Sequence, residues 1–435
     1  MSFYLKGVHI PHFKNTTNLS AVKMTAPKYV SIPTSMHIGA PATPIVKVGD
    51  SVKTGTLIAE QNGYISSPVY SSISGTVTEI SDMLLSNGKT APIITIESDG
   101  EMSVDENISV PVVNNKEDLI AAIKKSGIVG LGGAGFPTYV KFDTDKPINE
   151  LIINCAECEP YITSDSVTIV DRIDDIVHAI DILTKYIKID KIIFGIEKNK
   201  QAAVNTIKTA FKDRSNVEIK TLPTLYPQGA EKVLIYHTTK KVVKIGELPI
   251  DIGCVVSNSS TIAEIGNYLK TGMPLIERCI TVDGNIVKEP KNVIVPIGTP
   301  LEEVFEFCGG FTDEPKKVLY GGPMMGIAVP YLTVPVLKNT NAILAFNRTE
   351  AKVAKTTACI KCGGCVNACP FGINPVTATK ALKTEDLDGL ERSGVELCMS
   401  CGCCSFVCPA KRPIVQNNKI AKETLFELRK KEAKV

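Results

Sequence analysis

SGIVGLGGAGFPTYVK (residues 126–141) contains Gly130-x-Gly132-x-x-Gly135, the spelling of a dinucleotide-binding fingerprint. That fingerprint works when a strand runs into the glycines and a helix starts at the last of them, so that a pyrophosphate rests on the helix N-terminus. Here the preceding stretch, KEDLIAAIKKSG, spaces Leu119, Ile120 and Ile123 on one helical face and stops at Gly127 after a basic turn. Pro137 then bars a helix that would begin at Gly135. The order is wrong for the ordinary Rossmann reading, and a lone GxGxxG carries little weight. That reading is rejected, and the glycines must be explained by their surroundings.

Outward from this loop, residues 110 to 272 alternate strand and helix patterns, which predicts an α/β sandwich. ELIINCAECEP is an apolar strand ending in an acidic loop, and DKIIFGIEKNK is a second strand followed by the helical KQAAVNTIKTAFK. VEIKTLPT leads to YPQGAEKVLIYHTT, and GCVVSNSSTIAEIGNYL runs strand, Asn/Ser turn, helix. Polar or acidic loops thus sit at strand C-termini, where open α/β sheets place ligands. Asn258 and Ser259 taken alone are helix caps; the case for a site rests on convergence.

Residues 30 to 100 read as short strands. VKVGDSVKTGTLIAE and SSPVYSSISGTVTEI resemble the two halves of a biotinyl/lipoyl-type barrel sandwich. Carrier domains hold their cofactor on a hairpin lysine, but no lysine occurs between Lys53 and Lys89, so this module docks partners or braces the fold. Residues 275 to 345 predict a hairpin with an Asp283-Gly284 turn, a further strand and a helix starting at Thr299 or Pro300, resembling a β-grasp unit. LYGGPMMG is a glycine-rich turn without an evident purpose, and KIAKETLFELRKKEAKV reads as a basic helical tail.

Nine of the fourteen cysteines lie between Cys359 and Cys408. ACIKCGGCVNACP gives Cys359-x2-Cys362-x2-Cys365-x3-Cys369-Pro, and LCMSCGCCSFVCP repeats the spacing as Cys398, Cys401, Cys404 and Cys408-Pro. This is the bacterial ferredoxin run, whose first three thiolates hold one cubane while the fourth ligates the other. Cluster 1 is expected on Cys359, Cys362, Cys365 and Cys408, and cluster 2 on Cys398, Cys401, Cys404 and Cys369, with Cys403 a packed thiol. Paired zinc sites would use Cys-x-x-Cys knuckles rather than two four-cysteine runs. The helical segment between the runs makes this a ferredoxin module with inserted helices.

The 435 residues have a formal net charge of +2, which gives no bias toward nucleic acid or a membrane surface. No run reaches the roughly 18 apolar residues of a membrane span. The N-terminus lacks a signal-peptide core, so a cytoplasmic protein is expected.

The stretches GLGGAGFPT, NCAECEP, YPQGAEK and VSNSST, in that order and at those separations, resemble the flavin-carrying, NADH-binding subunit of respiratory complex I. Adding MHIGAPATPIVKVGD and the double ferredoxin run, the chain more closely resembles the C subunit of Rnf complexes, which exchange electrons between ferredoxin and NAD coupled to Na+ or H+ translocation. The resemblance runs from GVHIPHFKN to CCSFVCP. It implies a multidomain α/β plus β fold: an N-terminal segment and barrel sandwich over 1–105, an FMN/NADH-binding α/β domain over 106–272, and a β-grasp domain over 273–345. A two-[4Fe-4S] ferredoxin domain over 346–415 and a basic tail over 416–435 complete it.

The resemblance further implies that the glycine loop cradles FMN in its own topology. Gly130, Gly132, Gly133 and Gly135 would let N–H groups approach the ligand, with Lys141 near the flavin. Asn154 and Glu157 would line the isoalloxazine, Glu159 would meet the nicotinamide, and Phe136 would stack on NADH. Tyr226, Gly229 and Glu231 would form another wall, and Asn258 and Thr261 would take the FMN phosphate. Leu131, Ala156 and Ala230 depart from the complex I pattern, all on the NAD(H) side. The implied setting is the cytoplasmic face of a membrane, held there by sister subunits, with ferredoxin reached indirectly or through one of them. A soluble corrinoid reductase of the same architecture and a non-catalytic iron–sulfur relay are the alternatives. GVHIPHFKN favours the Rnf reading over the reductase, and the intact glycines, Lys141 and Asn154 argue against the relay.

Overall fold

The run ELIINC becomes a strand, Ile148–Cys155, inside a four-stranded parallel sheet. The sheet order is 217–222, 189–197, 148–155, 254–258. Leu151, Ile152 and Ile153 are fully buried, as a parallel strand covered on both faces requires. Chain order reverses between the strands Ile148–Cys155 and Cys254–Asn258, where Asn154 and Asn258 are in register as neighbours. This switch point is where such sheets open a ligand crevice. The computed structural model describes residues 5–84, 88 and 90–432.

The order around the glycines is as the sequence predicts. A helix, Lys116–Lys125, starts at the Asn115 cap, and the chain turns at Gly127 with φ +70°. The next helix, Thr138–Phe142, begins immediately after Pro137.

The barrel sandwich packs a sheet of 29–33, 90–98, 75–84 and 51–52 against one of 43–44, 57–60 and 69–70. Its hairpin leans on the helix after the glycines. Gln61 Nε2 donates to the Tyr139 hydroxyl at 3.1 Å, and the Tyr64 hydroxyl donates to Asp143 at 2.9 Å. Lys338, fully buried, donates to Ser67 Oγ, Pro68 O and Gly127 O and so ties three parts of the chain together. The module braces the glycine loop.

Three regions add to the expectations. The N-terminal segment, expected with the barrel sandwich, also reaches beyond it. Val8 bridges to Tyr226, and Val22–Lys23 pairs with Val293–Ile294 at the edge of the β-grasp sheet. Residues 5–24 are thus a strap over two other domains. The strands flanking Asp283-Gly284 pair as the expected antiparallel hairpin, with a connection that runs on to residue 290 because buried Val287 pairs with Phe311. Its helix starts at Leu301, after Pro300. The tail is not a free end: Ile414–Glu432 is one helix, with Ala421 and Leu425 fully buried against the helices Pro375–Thr384 and Leu387–Ser393.

Candidate functional site: a flavin-type crevice and two thiol-lined voids

At the switch point the glycine loop lies on the start of the helix Ser259–Thr271. Asn258 caps that helix, accepting from Ser260 N and Thr261 N, and its Nδ2 donates to buried Asp165 at 2.7 Å. Leu131 N donates to Thr261 Oγ1 at 3.0 Å. A Cβ on Gly132 would lie 2.6 Å from Asn258 Nδ2, so only glycine lets the loop come this close. Gly132, Gly133 and Ala134 are exposed, and among the described residues their N–H groups meet no acceptor. Free N–H groups over a helix N-terminus suit a phosphate. Gly130 and Gly135 hold the loop's shape: Gly130 N donates to Phe136 O, and Gly135 O accepts from Ile38 N of the barrel sandwich.

Asn154 forms the adjoining wall, its Nδ2 donating to Gly229 O at 2.8 Å. Lys141 donates to Val256 O at 2.7 Å and pairs with Glu231 at 3.4 Å, which brings two expected residues together at the mouth. Phe136 is half-buried beside the loop.

Glu157 does not line this crevice. Its carboxylate accepts from Asp165 N and Ser166 Oγ and pairs with buried Lys200 at 2.8 Å. Lys14 of the strap sits behind it, donating to the carbonyls of Glu157, Glu159 and Ile162. Burial pulls the Lys14 ammonium down to about 8.

Glu159 is also placed elsewhere than expected. Its two oxygens accept from Met324 N at 3.1 Å and Met325 N at 2.8 Å, inside the GGPMMG turn of the β-grasp domain. Gly322 of that turn abuts the Glu159 carboxylate, leaving no room for a side chain. Burial raises Glu159 to about 7 against the opposing pull of these N–H groups. The unexplained turn is therefore a clamp, closed on the loop after Asn154.

The clamp abuts the ferredoxin domain. Met324 packs with Tyr226, Cys158, Cys401 and Cys403, and the Tyr226 hydroxyl donates to Cys401 O at 2.6 Å. Cys403 is 1% exposed, a packed thiol.

Two voids follow. One is lined by Cys369, Cys398, Cys401 and Cys404 together with Cys403, the other by Cys359, Cys362, Cys365 and Cys408. These are the two crossed sets that the ferredoxin spacing predicts. Among the described residues no three His, Cys, Asp or Glu side chains stand close enough to share a single ion. Five thiols around one void and four around the other suit a larger body such as a cubane.

Sequence reasoning missed Glu197. It ends the strand Ile189–Glu197 beside Cys155, is 1% exposed, and has no partner for Oε1 among the described residues. Burial raises it to about 7, opposed by Lys14 and Lys200. An acidic residue closing an apolar strand next to the one bearing Asn154 was the available signal.

Comparison with known proteins places each region. Residues 3–101 match the RnfC barrel sandwich hybrid domain, 123–267 the Nuo51 FMN-binding domain, 279–328 the SLBB domain and 351–423 a 4Fe-4S dicluster domain. The last match runs into the tail helix. The chain is 39% identical to the C subunit of the Na+-translocating ferredoxin:NAD+ oxidoreductase complex of Acetobacterium woodii, covering 98% of this chain and 97% of that one. It is 40% identical to the proton-translocating counterpart of Clostridium ljungdahlii, over 85% and 82%. The C subunit of an ion-translocating oxidoreductase complex of Rhodobacter capsulatus is 37% identical, over 98% and 84%. Among solved structures, an NAD+-reducing [NiFe]-hydrogenase aligns with TM-score 0.52 and 18% identity over 72% of this chain and 63% of that one, a likeness of fold.

Proposed function

The chain belongs to the family of C subunits of the ion-translocating ferredoxin:NAD+ oxidoreductase complexes, and from that premise we propose that it exchanges electrons between NAD(H) and a pair of iron–sulfur clusters through FMN. FMN, when bound, links the two-electron chemistry of NAD(H) to the one-electron chemistry of the clusters. The chain's own residues do the rest. The N–H groups of Gly132, Gly133 and Ala134, with the helix start at Asn258 and Thr261, hold the phosphate. Asn154, Gly229 and the Lys141–Glu231 pair bound the flavin. Phe136 flanks the face left for the nicotinamide. Glu159 acts from behind, locking the GGPMMG turn in place.

The observation that carries this reading is the Tyr226 hydroxyl on the Cys401 carbonyl. It joins the Tyr226–Gly229 loop, whose Gly229 carbonyl holds Asn154, to the void lined by Cys401, so a flavin bound at Asn154 would have a cluster bound in that void as its neighbour. Cluster 1 then lies outermost, with Cys359 and Cys362 exposed. Lys361, Lys380, Lys383 and Arg412 line its void, and none pairs with a carboxylate among the described residues. Electrons pass to or from the partner subunits across this basic face. No helix among the described residues is long and apolar enough to cross a membrane. The protein rests peripherally, on the cytoplasmic side, through its partners.

The test is an anaerobic NADH titration of the protein carrying FMN and both clusters, followed by absorbance and electron paramagnetic resonance. Flavin bleaching followed by reduced-cluster signals is expected. Bound flavin that NADH never bleaches would overturn the proposal.

A further inference from the structure

The helix Ile414–Glu432 reaches back to the second void. Asn418 and Lys422 are one turn apart on the same face, and both reach Cys398. Asn418 Nδ2 donates to Cys398 Sγ at 3.9 Å, and Lys422 Nζ donates to Cys398 O at 3.1 Å. Asn418 is 2% exposed and lines the void enclosed by Cys369, Cys398, Cys401 and Cys404. Its Oδ1 is buried without a partner among the described residues. A half-satisfied buried amide destabilises a fold, and Val415 on the same helix shows that an apolar lining is accommodated there. The helix is held rigidly, with Leu425 fully buried and Arg429 paired with Glu391 and Glu396.

We propose that Asn418, assisted by Lys422, raises the reduction potential of cluster 2. This rests on the reading of that void as a cluster site. Reduction adds one negative charge to a cubane. An N–H donor on a ligating sulfur and a cation on the backbone of the same cysteine both favour the more negative state. The amide is therefore kept for its effect on the cluster rather than for packing. The residue is a positioning and tuning group, not a ligand.

Potentiometric titration of the full chain with both clusters, read by electron paramagnetic resonance, tests this. A Cys398→Ser variant identifies the cluster 2 signal by its loss. Asn418→Leu is expected to move the cluster 2 midpoint to lower potential and leave cluster 1 in place. Lys422→Met, half-buried and easily accommodated, is expected to move it the same way by less, and it stands in should Asn418→Leu fail to assemble. Full iron and sulfide content with both midpoints unmoved in either variant would overturn the proposal. Wild-type protein that takes up no second cluster would instead defeat the cluster reading beneath it.

Discussion

Glu159 shows how far a residue's role can lie from its neighbours in sequence. The motif NCAECEP marks it as a site residue, but its partners Met324 and Met325 are more than 160 positions away. Nothing in a linear reading joins them, and the same holds for Glu157 and Lys200, 43 positions apart. Hydrogen bonds to a charged group contribute roughly 1.5–3 kcal/mol each. Glu159→Gln presents an amide donor to one of two N–H groups. Hydrogen exchange at Met324 and Met325 is therefore expected to rise by roughly tenfold or more, with FMN content unchanged. Unaltered exchange would show that the turn closes without the carboxylate. Burial also sets a pH dependence. Glu159 and Glu197 are raised from 4.5 to about 7. Between those values the folded chain holds more protons than the unfolded one, so their contribution is complete at low pH and lost as pH rises through 7. The thermal midpoint should fall between about pH 5 and pH 7, and less steeply in Glu197→Gln; equal slopes in the two proteins would refute the assignment.

At the scale of elements, the two cysteine runs were legible as a two-cluster module because the pattern is written in spacing alone. Their crossing makes a sharp prediction. Cys369→Ser should remove cluster 2, although Cys369 lies in the first run, and Cys408→Ser should remove cluster 1. Iron content and the two resonance signals would reveal the opposite assignment at once. The glycine loop was legible as a ligand loop only through its company, since its dinucleotide spelling misleads. Two substitutions separate its functions. Gly132→Ala drives a methyl into Asn258, so both stability and FMN retention should drop, whereas a Cβ on Gly133 meets nothing within 4 Å. Gly133→Ala should leave the thermal midpoint in place and affect flavin retention alone. A lowered midpoint in Gly133→Ala would mean the loop is packed more tightly than its exposure indicates. The packing of the last helix is hard to see in sequence because its charged residues dominate the pattern; Ile414, Ala421, Leu425 and Leu428 mark its packed face.

In the whole molecule, the barrel sandwich and the α/β domain share one apolar core, from Val30 through Leu269 to Ile297, and buried polar ties fasten the modules further. Lys338 is the deepest of these, fully buried on Ser67, Pro68 and Gly127. Lys338→Met leaves the Ser67 hydroxyl as the remaining donor to two buried carbonyls, so one of them goes unpaired, at about 1–3 kcal/mol. A fall of several degrees in the thermal midpoint is expected, with proteolysis opening between barrel sandwich and glycine loop. A midpoint within one or two degrees of wild type would place the cohesion elsewhere. Domain types were legible from local pattern, but such ties were not, because each joins residues far apart in the chain. The strap over residues 5–24 carries this furthest. Val22 waits for Val293 as its strand partner, a stretch of about 270 residues that a ribosome makes at roughly 5–20 residues per second. A strap made early is thus seated late, and its strand waits tens of seconds for its partner to be made.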